Sequence, residues 1–235
     1  AVTMRNEFLK TNKLPYCEGI FDCIDNLFSR LTDTDKSQAY SLLFQDITNK
    51  TEMFKNMTTT INKLESLKGL VSENPSVTEF YIECFMFLLA MEGMYDEVVR
   101  FVYATELIID NKKISPEILK NTNIEEIKSR IKTQPRIIFD VWDSGHRVRN
   151  AVAHARFYYN KEDNKMKFVD VNLRDPTDIY TTFLEIKEIE DLVNKIRVIC
   201  IVFIHLLGLL HVFSLLVIAP KKGSSFLWTI TDAPE

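Results

Sequence analysis

Glycine is scarce in this chain, six in 235 residues, which suits helices better than a turn-rich β fold. No Gly-x-x-x-x-Gly-Lys-Ser/Thr and no Gly-x-Gly-x-x-Gly occurs, so neither kind of phosphate-cradling loop is expected. The cysteines, Cys17, Cys23, Cys84 and Cys200, show no Cys-x-x-Cys spacing; that removes a zinc site and a redox pair and leaves small apolar residues in a reducing compartment. The four histidines lack metal-ligand spacing, and no strand-turn-helix elbow frames a serine or cysteine nucleophile. No metal and no cofactor is therefore expected. The opening AVTMRNEFLK has no apolar stretch, so a signal peptide is not expected and the chain reads as cytoplasmic. Excess positive charge is missing too: 29 Lys and Arg stand against 33 Asp and Glu, a net charge of -4. That excludes a protein that coats nucleic acid nonspecifically, while a local basic site is still allowed.

What is present suffices for a well-buried core. Hydrophobic residues make up 46% and charged ones 26%, outside the range of disordered chains. Residues 20 to 31 read as a short helix. Tyr40, Leu43, Ile47, Phe54, Met57, Ile61, Leu64 and Val71 trace the stripe of a long amphipathic helix over 37 to 71. Asn74-Pro75 breaks it, and Ser76 with Glu79 forms a capping box for a central core helix running to about Ile109. Ser115-Pro116 and Asn123 with Glu126 start two shorter helices, and Pro135 opens another. RFYYN-KEDNK-MKFVDVN reads as a β-hairpin, and Thr182 with Glu185 as the cap of a last helix. The expected fold is all-α: a helical bundle with a small β-hairpin inserted after the Pro135 helix. The one seam, near Asn74-Pro75, divides an N-terminal helical arm (1–75), suited to dimer or partner contacts, from a helical domain (76–219) and a C-terminal tail (220–235). Val198 to Ala219 carries no formal charge and is flanked by Lys195, Arg197, Lys221 and Lys222. It is expected to be a buried or dimer-interface helix, with a membrane anchor as the alternative, and its His205 and His211 as satisfied core or interface residues.

Chemistry concentrates on the Pro135 helix. At 100° per residue Val141, Gly145, Val148, Val152 and Ala155 form its buried stripe, and Asp143, Arg147, Asn150 and His154 a polar one. Asn150 and His154 are i, i+4 neighbours, so the amide is placed to orient the imidazole. Arg149 lies about 140° round from His154, and the two converge on one phosphate only if another surface closes over them. A second copy of the helix fits, since Ala151, Ala153 and Ala155 leave room. Residues 144 to 174 carry seven Lys and Arg against three Asp and Glu, a local +4, which a polyanion groove requires. Arg156, Lys161, Lys165 and Lys167 are its candidate polyanion contacts, and RNA contacts if the resemblance described next holds.

The phrase R-N-A-V-A-H, with Arg149, the polar Asn150 after it and His154 beyond four intervening residues, resembles the Arg-x(4–6)-His signature of the HEPN superfamily of helical ribonucleases and nucleotide-binding domains. The preceding helix with Glu92, Tyr95 and Asp96, the hairpin after the histidine and the Leu-rich last helix agree, over roughly 76 to 215. The resemblance implies a homodimer whose motifs meet in one cleft and a metal-independent endoribonuclease of toxin or anti-phage defence systems. In it His154 would be the acid/base, Arg149 the phosphate clamp and Asn150 the orienter, with His146 and Arg147 second-tier. It also implies an antitoxin or regulatory protein as partner. Where the family's antitoxin-paired toxins carry a tyrosine two residues past the histidine this chain has Arg156, which weakens that particular pairing. The alternative is a non-catalytic module of the same superfamily that binds nucleotide, RNA or a partner protein.

Overall fold

The computed structural model describes residues 2–11, 16–33, 47–70, 77–112, 116–131, 136–172, 175 and 177–217. Expectations about Tyr40, Leu43, Ser76, Ser115, Pro135 and the tail 220–235 lie outside the described residues. The chain is mostly helical with a small antiparallel sheet. In order come α1 (Val2–Thr11), α2 (Cys17–Asp33), α3 (Ile47–Lys68) and α4 (Val77–Ala90). A five-residue π-helical turn (Met91–Tyr95) joins α4 to α5 (Asp96–Ile109). Then follow α6 (Pro116–Asn121), α7 (Ile124–Arg130), α8 (Arg136–Ala153), β1 (Phe157–Asn160), β2 (Lys165–Val171), β3 (Ile179–Leu184) and α9 (Ile186–Val217).

One core joins all of this. Helices α1 to α3, from the stretch read as an arm, bury Phe8, Ile20, Ile24, Leu31, Met57 and Leu64 together with Phe87, Tyr95, Val102 and Phe203 from beyond residue 76. Each such side chain contributes about 1.5–3 kcal/mol of transfer free energy. α9 is the spine: Phe203 meets Phe28 of α2 at 6.2 Å and Phe101 of α5 edge-on at 5.1 Å. By length and composition α9 is also the one helix among the described residues that could cross a membrane, yet Ile189, Ile196, Ile199, Val202 and Phe203 face the bundle. Its His205 stacks on Phe8 at 4.2 Å. This histidine is a core residue but not a satisfied one, because its buried Nε2 has no partner among the described residues, and burial pushes its pKa down.

Two caps differ in outcome. Asn123 caps α7 as expected, its side chain accepting from the Glu126 N–H at 2.8 Å. Thr182, in contrast, does not cap α9. It lies in a third strand, paired with Phe168, and the reciprocal bond runs from the Glu185 N–H to Glu188 Oε2 at 2.8 Å. The expected hairpin is thus two-thirds of a sheet ordered β1-β2-β3. IYTTFL alternates half-buried and exposed residues along β3, the period of a half-covered strand.

Candidate functional site

α8 presents the motif. Its buried side is Val141, Gly145, Val148, Ala151 and Val152. Gly145 is required there, since a Cβ would stand 2.8 Å from the Phe87 ring. Ala155, expected on this stripe, is past the end of the helix. The Arg156 N–H donates to the Ala151 carbonyl at 2.7 Å and the Ala155 N–H to the Val152 carbonyl at 3.0 Å, with Ala155 at φ 52°. This is a Schellman closure with alanine in the left-handed position that favours glycine. His154 is its C-cap residue, exposed to solvent. Ala151 is buried in the chain's own core, so of the three alanines only Ala153 and Ala155 offer surface to a partner.

Arg149 does not stand free. Its Nε and Nη2 reach the Glu92 carboxylate, and its Nη1 donates to Asn150 Oδ1 at 2.9 Å. Glu92 sits in the π turn, where an extra residue per turn re-aims side chains. Gly93 allows the turn to lie against α3, for a Cβ there would fall 2.3 Å from Thr60 Oγ1. Asn150 in turn points its Nδ2 at Asp170 Oδ2, 3.4 Å away. Both ends of this amide are therefore directed to Arg149 and Asp170, and the orienting contact expected with His154 is absent among the described residues. The His154 ring has no hydrogen-bond partner among them.

The second-tier residues are engaged structurally. Arg147 donates from Nε to buried Asp170 and from Nη2 to Asp178, both at 3.0 Å, and lies 5.0 Å from the centre of the Tyr180 ring. Those bonds raise the guanidinium pKa, first through Asp170, and lower that of Asp178. Arg147 thus ties α8 to β2 and to the segment before β3. His146 stacks on Trp142 at 5.3 Å, with its Nδ1 2.9 Å from the Trp142 carbonyl oxygen.

Lys161 is exposed in the β1–β2 turn, Lys165 pairs with Glu185 at 3.3 Å, and Lys167 lies between the rings of Tyr158 and Phe183. The sequence missed the partners Glu92 and Asp170, and an aromatic cluster beside the motif in which Phe157 packs on Tyr81 at 5.5 Å and on half-exposed Phe85 at 6.0 Å. Glu92 was visible as an acidic position, but nothing in its spacing pointed to Arg149. Among the described residues no three His, Cys, Asp or Glu side chains gather as a metal site needs. Compared with known families, curated proteins and solved structures, the chain matches none.

Proposed function

We propose that the chain is a metal-independent endoribonuclease of the HEPN type, acting as a homodimer in a toxin or anti-phage defence role. The observation that carries the reading is an exposed imidazole without a hydrogen-bond partner among the described residues at the capped end of α8, with the Arg149 guanidinium on the last turns of the same helix. Cleavage by the 2'-hydroxyl needs a base for that hydroxyl, an acid for the leaving 5'-oxygen and positive charge on the phosphorane. Histidine titrates near neutrality and serves either proton role; a guanidinium keeps its charge and fits two phosphate oxygens. His154 is the acid/base, Arg149 the phosphate clamp, and Asn150 steadies Arg149 rather than His154. Exposed Ala153 and Ala155 and half-exposed Phe85 suit the approach of a second copy, which would bring its own Arg149 and His154. We read α9 as the spine of the bundle rather than a membrane anchor.

The engagement of Arg149 by Glu92 and Asn150 favours the second reading, a non-catalytic module of that superfamily that binds RNA, nucleotide or a regulatory protein. Incubation with RNA in EDTA separates the two. Under the first, wild type cleaves and His154→Ala loses roughly 10²-fold or more; no cleavage by wild type, or cleavage unchanged by the substitution, sinks it.

A further inference from the structure

The inner side of the sheet, with Met166 and Phe168 fully buried, is packed into the core. The outer side has no cover among the described residues. In register across its middle stand Tyr158, Lys167 and Phe183, the two rings 48% and 40% exposed and two strands, roughly 10 Å, apart. The Lys167 ammonium lies 5.4 Å from one ring centre and 5.6 Å from the other. Half-exposed rings gathered around a cation make this face a candidate contact surface.

Charge decides what the face suits. The Arg156 carbonyl accepts from the Val169 N–H at 2.9 Å, so strand alternation sets Arg156 on the same side as Tyr158. No carboxylate pairs with Arg156 among the described residues, and its Nη1 is buried without an acceptor. Lys165 is on this side too, opposed by Glu185. Of the other acids nearby, Asp170 and Asp178 take Arg147, Asp163 accepts from the Asn160 amide, and Glu162 is exposed in the β1–β2 turn next to Lys161. Arg156, Lys165 and Lys167 therefore outnumber Glu162 and Glu185 in an acidic chain, around two exposed rings. Flat rings interleaved with unbalanced cations suit unpaired bases joined by phosphates, because every base has a face to stack and every linkage a charge to meet.

We propose that the outer face of the three-stranded sheet is a binding platform for single-stranded RNA. Bases stack on Tyr158 and Phe183, and Lys167 and Arg156 meet the phosphates. β1 begins three residues after His154, so a strand lying on the platform passes directly to the end of α8. The proposal rests on the ribonuclease reading for its choice of RNA, but its test does not need cleavage.

The probe is a single-stranded RNA 12-mer carrying 2-aminopurine, titrated in EDTA into the His154→Ala protein so that it stays intact. Stacking is expected to quench the probe on binding. Adding Tyr158→Leu or Phe183→Leu, each of which keeps an apolar side chain at an exposed position, weakens affinity roughly 10-fold and reduces the quench. Lys167→Gln lowers the slope of log affinity against log salt by about 0.7 and serves alone if a leucine variant fails to fold by circular dichroism. Unchanged affinity and slope in the folded variants, or no binding by the parent, overturns the proposal. So does a result in which the leucine variants bind RNA normally but lose self-association by light scattering, for the face would then belong to a second copy. Failure of the ribonuclease reading looks different: wild type leaves RNA intact while the leucine variants still weaken binding.

Discussion

Arg149 is held on two sides, by Glu92 from the π turn and by the Asn150 amide next to it. A phosphate must compete with that carboxylate for the guanidinium, so Glu92 both sets the side chain's direction and opposes the arrival of a polyanion. If the chain cleaves RNA as proposed, Glu92→Gln is expected to split the kinetic constants: KM for RNA falls as repulsion is removed, and kcat falls as Arg149 loses its support. A fall in kcat with KM raised would show that the carboxylate also helps to bind. Ala155 is the strained residue of the site, in a left-handed conformation with a Cβ. Ala155→Gly is expected to stabilise the fold by about 0.5–1 kcal/mol, read as a raised urea midpoint at unchanged m. At this scale the sequence made the residue types legible and their partners illegible. Arg149, Asn150 and His154 could be read as a reactive trio, but Glu92 is 57 positions from Arg149 and no local pattern links them. Asn150 shows the same limit, since a favourable i, i+4 spacing to His154 lost to the Arg149 and Asp170 contacts that only the tertiary fold supplies.

Elements whose signals are local were readable, and those that depend on packing were not. Asn123 announced α7 because a cap needs only its own next three residues. β3 was missed because Thr182 and Glu185 imitate a capping box while IYTTFL also alternates like a strand, and pairing with β2 decided between them. The π turn has no composition of its own; it follows from fitting Gly93 against Thr60 and Tyr95 against α8, where the Tyr95 hydroxyl donates to the Ile138 carbonyl at 2.9 Å. The junction of α3, α4 and α9 has a testable electrostatic property. Glu83 on α4 is 3% exposed with its Oε2 unpartnered among the described residues, and burial, with Glu190 of α9 adding to it and Lys68 of α3 opposing, pushes its carboxyl up to about 7. The folded state then keeps a proton that the unfolded chain releases near its ordinary 4.5. Stability is full below that pH and is lost as pH rises through about 7, by on the order of 3 kcal/mol. Glu83→Gln should leave the urea midpoint nearly unchanged at pH 4 and raise it at pH 8; equal effects at both would contradict a protonated Glu83.

Over the whole molecule the sequence carried the class, mostly helical with a small sheet, because the hydrophobic period is written along the chain. It did not carry the unity of the core. A composition break at Asn74-Pro75 reads as a seam, whereas the apolar faces of α2 and α3 complete the bundle around α9. Nor does the helix period let Arg149 and His154 of one chain converge on a single phosphate, and this is why the proposed site includes a second copy. If it does, Arg149→Ala and His154→Ala proteins, each inactive, recover a measurable part of the activity when mixed and refolded together, since a mixed pair retains one arginine and one histidine. No recovery would place the chemistry within a single chain. The most direct measurement of all is the chemistry of the cut ends. RNA incubated with wild type in EDTA is expected to yield fragments ending in a 2',3'-cyclic phosphate and beginning with a 5'-hydroxyl, and His154→Ala to leave it intact. Fragments with 3'-hydroxyl and 5'-phosphate ends, or the same fragments from both proteins, would contradict cleavage by the 2'-hydroxyl at His154.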